Sequence, residues 1–318
     1  MDKMDNCTDK RAILIIKLTG VCKLWIFALA LLQLTGCVKD DLYNTPHPDK
    51  GAVKVTTDWS GASSDAVLPQ NYVLRIGTQE QTVSGASNAF RALFEPGRQD
   101  LLAYHPAEGI TINGNTATVN TLPDGMLEPM PGFLFSASAE PEIVKDDTLE
   151  VAVKLEQRIR TLTLALKLNP GDEERITATS AILTGIASGI DLRDGTIATT
   201  EGMATVPVFV LGTDRPENRT AVPHGQGMRS TGEPALVATL RLMGIATEER
   251  QVLALVVTLV DGSVQTIRTD LTEMLKNFGG TDMEPLTLDA TLELPAEGSF
   301  SGTITDWKVV DNGEIKVN

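Results

Sequence analysis

A change of phase in the middle of the chain narrows the folds open to it. Leu149, Val151, Val153 and Leu155 occupy odd positions, with Glu150, Lys154 and Glu156 between them. From Leu162 the apolar set moves to even positions, Leu162, Leu164, Leu166 and Leu168, separated by Thr161, Thr163 and Lys167. Successive side chains of a strand point to opposite faces, so the two runs cannot form one regular strand on one sheet. A bulge, bend or change of sheet is required near Gln157-Arg158-Ile159-Arg160. The polar connection Glu140-Pro141-Glu142 with Lys145-Asp146-Asp147 puts a domain boundary just ahead of the first run, dividing residues 51–147 from 148–318. The alternative is a bulge inside one long strand, with the boundary displaced by ten or more residues.

The remainder reads as short strands punctuated by turns. Val53, Val55 and Thr57 alternate with Lys54, Thr56 and Asp58 ahead of Trp59, and Tyr72–Gly77 follows with the same period. Asn113-Gly114, Asp194-Gly195, Asp261-Gly262 and Asn312-Gly313 each adjoin β-branched runs. Such pairs accept positive φ cheaply and match the twist of two-residue hairpins. One short helix is expected, with Asp270 capping Leu271-Thr272-Glu273 and Glu273 completing a capping box. Met274, Leu275 and Phe278 would face inward before Gly279-Gly280. Gly202 to Ser230 reads as a long exposed loop. The fold class is therefore all-β, two tandem antiparallel β-sandwich domains with one short helix.

The amino-terminal stretch carries an address. Lys10, Arg11, Lys17 and Lys23 precede the apolar run Leu24–Leu32, which is too short to span a bilayer comfortably and has the form of an export signal over residues 1–36. Leu34-Thr35-Gly36-Cys37 resembles a bacterial lipobox, which would make Cys37 the acylated first residue of the mature chain. Each buried methylene of an acyl chain contributes about 0.8 kcal/mol, so several chains hold a protein on a membrane where one holds it marginally. Lys39, Asp40 and Asp41 directly behind resemble the lipoprotein export tag of Bacteroidetes, which directs such proteins to the outer face of the outer membrane. Residues 37–50, with Pro46 and Pro48 among polar neighbours, then read as an extended tether.

Charge and cysteine usage exclude several classes. The chain carries a formal charge of −15, and loss of residues 1–36 removes five Lys/Arg and three Asp/Glu, leaving about −17. That excess repels phosphate backbones, so nucleic acid is not an expected partner. Cys7 and Cys22 leave with the leader, so no disulfide or thiolate metal site is expected.

Catalytic motifs are missing: there is no nucleophile elbow, Walker loop or histidine-pair zinc signature. Of the three histidines, His47 lies in the tether, His105 ends a strand and His224 lies in the long loop. Asp191-Leu192-Arg193-Asp194-Gly195 places an arginine where a calcium loop needs oxygen, and reads as a turn. No catalytic residue, cofactor, metal or small-molecule substrate is expected. Trp59 and Trp307, both in strand patterns, read as core residues; exposed, they would suit the alternative of a glycan-binding surface lipoprotein associated with nutrient uptake.

Taken together, the lipobox, the Lys39-Asp40-Asp41 tag, Asp41-Leu42-Tyr43-Asn44-Thr45-Pro46-His47-Pro48, the first strand ending at Asp58-Trp59, the Phe94-Glu95-Pro96-Gly97 turn and the Gln157-Arg158 strand resemble the FimB/Mfa2 fimbrial-anchor lipoproteins of Bacteroidetes. The resemblance implies transthyretin-like sandwiches, lipid attachment to the outer membrane and fimbrial subunit proteins as partners, bound by β-strand addition. It also implies that shaft subunits are clipped after an arginine in the first strand. This chain has no arginine between Cys37 and Arg75, and Arg75 lies inside an expected strand. The expectation is a subunit that keeps its lipid, an anchor or accessory, with Val53–Asp58 or Ile315–Val317 as the open edge for a partner strand.

Overall fold

Alternation of β-branched and polar residues produces strands throughout the computed structural model, which describes residues 49–198, 201–213, 233–295 and 301–310. The leader, Cys37, Lys39, Asp40, Asp41, His47, His224, Asn312-Gly313 and Ile315–Val317 lie outside the described residues.

The first sheet has seven strands, β1 (Ala52–Gly61), β2 (Asn71–Ile76), β3 (Gln79–Ser84), β4 (Ser87–Ala89), β6 (Leu101–His105), β9 (Phe135–Ala139) and β11 (Thr148–Gln157), in the order β3-β2-β6-β9-β11-β1-β4. Two short strands, β5 (Gly97–Arg98) and β10 (Glu142–Ile143), pair beside it, while β7 (Ile110–Asn113), β8 (Thr116–Val119) and β14 (Gly189–Asp191) make a three-stranded sheet. The second large sheet runs β16-β17-β12-β20-β21, from β12 (Arg160–Leu168), β16 (Val210–Thr213), β17 (Pro234–Leu242), β20 (Leu286–Glu293) and β21 (Thr303–Val310). A four-stranded sheet, β15-β13-β18-β19, uses β13 (Ile176–Ile186), β15 (Met203–Thr205), β18 (Val252–Leu259) and β19 (Val264–Asp270).

The phase change has the consequence its pattern requires. β11 hydrogen-bonds within the first sheet and β12 within the second, so the chain changes sheet at Gln157–Arg160. Thr148–Gln157 thus pairs with β1 and β9, and the crossing falls about ten residues beyond Asp147. The crossing is pinned by polar contacts: Arg158 N–H donates to Leu134 O, and Gln157 Oε1 accepts from Ser63 N–H at 2.9 Å. On the even face, Leu162, Leu164 and Leu166 are fully buried beside Leu240, Leu255 and Leu288 in an apolar core continuous from the first sheet to the last.

Two pairings depart from the antiparallel expectation. β1 runs parallel to β11, and β12 parallel to β20. Parallel neighbours need long crossovers, which leave no turn motif to read. The hairpins marked by Asn113-Gly114 and Asp261-Gly262 form as expected, with glycine φ values of 61° and 82°. The helix, α1 (Thr272–Leu275), is one turn long. Asp270 Oδ1 accepts from Thr272 N–H at 2.9 Å, but the Glu273 carboxylate pairs with Lys276 Nζ at 3.0 Å, so the capping box does not form. Leu275 and Phe278 are buried as expected, and Met274 is half-buried against the core. The stretch expected to be a loop from Gly202 instead contains β15 and β16, anchored by buried Thr205 and Phe209.

Candidate docking surfaces

Among the described residues, no group of three His, Cys, Asp or Glu side chains is placed to hold a metal, and no helix is long and apolar enough to cross a membrane. Among the described residues, His105, Asp191 and Arg193, singled out in the sequence, have structural partners. His105 ends β6 with Nδ1 3.1 Å from Asn71 O. Burial holds its imidazole below the usual value, opposed by that hydrogen bond. The unfolded chain therefore takes up the proton first as pH falls, and the stability contributed by neutral His105 declines as pH drops below the unfolded value of about 6.5. The urea midpoint is expected to fall between pH 7 and pH 5.5, and His105→Gln should flatten that part of the profile.

At Asp191–Gly195 the arginine completes the turn. Arg193 pairs with Asp191 at 2.6 Å, and these hydrogen bonds hold the Asp191 carboxyl below its usual range. The carboxylate is occupied, and the segment closes an Ile190–Ile197 bridge as a hairpin turn. A polar cleft of about 620 Å³ lies beside it, lined in part by Arg75, Asp100, Asn115, Glu140 and Arg193. Two of its charges are engaged internally: Arg75 donates to Gly114 O at 2.7 Å and to Asn115 Oδ1, and Glu140 pairs with Arg98 at 3.3 Å. A groove of about 510 Å³ follows the sheet crossing between Lys154, Arg158, Gly195 and Met243. There Arg158 Nε donates to Ser136 Oγ and its guanidinium pairs with Glu156 at 2.8 Å. Burial pulls Arg158 below the ordinary guanidinium value, with Glu156 opposing.

Trp59 and Trp307 are structural. Half-buried Trp59 meets Tyr72 and Phe135 edge-on, with ring centroids 5.6 and 5.4 Å away. Trp307 Nε1 donates to Thr269 Oγ1 at 2.9 Å and the ring packs on the core.

The expectation that Val53–Asp58 is an open edge is corrected. β1 lies between β11 and β4, and Lys54–Thr56 pairs with Ser87–Ala89 on one side and Glu150–Ala152 on the other. Thr57 N–H also bonds to Ala86 O. Three polar or small residues of β4 suffice to cover it, and nothing in their sequence announces that partner. Arg75 is likewise within a sheet, on β2 between β3 and β6. The outer positions of the large sheets belong to β3, β4, β16 and β21.

This arrangement defines a class of all-β proteins built from several sheets. The chain superposes on the fimbrial anchor protein Mfa2 of Porphyromonas gingivalis with a TM-score of 0.54 and 10% identity, over 82% of this chain and 97% of that one. A candidate adhesin of Bacteroides ovatus superposes with a TM-score of 0.54 and 17% identity, over 88% of this chain and 98% of that one. At these identities the likeness establishes a shared fold. In sequence, residues 45–313 match the fimbrillin-A associated anchor proteins Mfa1 and Mfa2, and the chain belongs to that family. Its role is accordingly fimbrial. No protein of curated function matches the chain in sequence.

Proposed function

We propose that this chain is a non-catalytic, lipid-anchored protein of the outer membrane, exposed on the cell surface, that holds fimbrial subunits by β-strand addition. The observation that carries the reading is the family match, which begins at residue 45, just behind Cys37 and the Lys39-Asp40-Asp41 tag. The fold supports it in one further respect: Arg75, the first arginine after Cys37, is held in a three-strand register, which disfavours proteolytic removal of the lipid-bearing segment. Strand addition supplies main-chain hydrogen bonds for affinity and alternating side-chain pockets for specificity. The same reading keeps an N-terminal and a C-terminal sandwich within the chain.

Cells producing Cys37→Ala are expected to lose incorporation of labelled palmitate into the protein and to shed fimbriae into the medium. Replacing Lys39, Asp40 and Asp41 together by alanine should preserve the label while removing digestion by protease added outside the cell. A Cys37→Ala protein that still takes up palmitate, or cells that retain their fimbriae, would refute the anchor reading.

A further inference from the structure

Sheet edges with unpaired backbone groups are ordinarily blunted by shortness, charge, proline or bulges. Most outer strands here follow that practice. β3 presents Gln79, Glu80 and Gln81; β4 and β15 are three residues each; β19 carries Arg268 and Asp270. β21 carries Lys308 and is interrupted at Asp306, where φ is +58° and the register with β20 shifts.

β16, four residues long, lacks the charge that guards β3, β19 and β21. No charged residue occurs from Thr205 to Thr213, and Val208, Val210 and Leu211 are 66%, 60% and 56% exposed. Among the described residues, only β17 pairs with β16. The register also shows which backbone groups face outward. Arg241 N–H, on the β17 edge away from β12, bonds to Pro129 O. Residues 235 and 237 therefore turn the same way, toward Gly212 and Val210, and Leu211 turns its N–H and C=O out of the sheet. Leu211 lies opposite buried Leu236, on the core face, yet is 56% exposed, with no further strand beyond it among the described residues. Val210, opposite Val237, stands on the other face. A strand laid along this edge would bury an aliphatic residue on each face.

We propose that β16 is the edge that accepts a strand from a fimbrial subunit, an uncharged segment with apolar residues on both faces. This inference rests on the strand-addition reading above and assigns its site. The formal charge of −15 opposes pairing with a second copy, whereas a neutral strand from another protein meets no such repulsion.

The test uses the full chain, purified in mild detergent, and fimbriae sheared from the same cells as the probe in a cosedimentation assay. Leu211→Pro deletes the outward N–H without removing a β16–β17 hydrogen bond, and Val210→Lys places a charge on the strand without altering the backbone. Each is expected to lower fimbrial binding at least tenfold, while Val264→Lys, at an exposed position of β19, binds as the wild type does. Should Leu211→Pro fail to fold, Val210→Lys alone decides. If the wild type pellets and Val210→Lys pellets equally well, the edge assignment is overturned and subunit binding stands. If the wild type does not pellet at all, the strand-addition reading itself fails. A wild-type dimer that Leu211→Pro converts to monomer would make the occupant a second copy and overturn the proposal.

Discussion

Gln251→Glu is expected to destabilise the fold by about 3 to 5 kcal/mol at neutral pH, the cost of leaving an uncompensated charge inside a protein. Gln251 is 1% exposed, and its Nε2 donates to three backbone carbonyls, Glu249 O at 2.8 Å, Ala246 O at 2.9 Å and Gly185 O at 3.2 Å. The side chain thereby ties the end of β13 to the turn that leads into β18. A carboxylate in its place would aim negative charge at three oxygens. Such a site favours the protonated acid, so the folded-state pKa of the new group rises above the unfolded value of about 4.3. The penalty is therefore fully present above the folded pKa and shrinks as pH falls through it. Gln251→Met also removes the donors, but it leaves carbonyls without partners instead of opposing them with charge. Its expected cost is about 1 to 3 kcal/mol with no pH dependence of its own. Urea denaturation of both variants and the wild type between pH 4.5 and pH 8 separates the two behaviours. A Gln251→Glu loss that stays constant across that range would contradict the geometry.

Gln251 was not legible in the sequence, because its three partners are carbonyls whose positions depend on the tertiary path. Features set by local chemistry were legible. Asn113-Gly114 and Asp261-Gly262 announce their hairpins because positive φ is a property of one residue and its neighbour. The change of sheet at Gln157–Arg160 is visible because side-chain parity cannot be repaired locally. Long-range choices left no comparable mark. Val53–Asp58 has the same alternation whether its flank is open or covered, and the covering strand is only Ser87–Ala89. The parallel pairing of β12 with β20 joins residues more than a hundred positions apart, with nothing in either run to specify direction. β15 and β16 were hidden by their brevity and by the glycine and prolines around them, although Val208-Phe209-Val210-Leu211 is itself an apolar run. Val53–Asp58 was thus misread as an open edge because exposure of an edge belongs to the assembled sheet.

The ring cluster beneath β1 gives the second large expected effect. Phe135 is fully buried on β9, adjoining β6 and β11, and supports Trp59, which in turn meets Tyr72. Phe135→Ala removes the transfer energy of the ring and leaves a cavity that strands hydrogen-bonded on both sides can close only partly. The expected loss is about 3 to 5 kcal/mol, set against a total of about 5 to 15 kcal/mol for an ordinary domain. Phe135→Leu keeps most of the volume and should recover the larger part of that loss. Trp59 reports the change directly, since losing one of its two ring contacts admits water and shifts its emission to the red. Chemical denaturation followed by tryptophan fluorescence measures both quantities in one experiment. A Phe135→Ala loss below about 1 kcal/mol would mean that the cluster is not a core element, and Trp59 would then be free to serve as a surface platform. Trp59, one of the two tryptophans a glycan-binding role could use, is by its contacts already part of what holds the first sheet together.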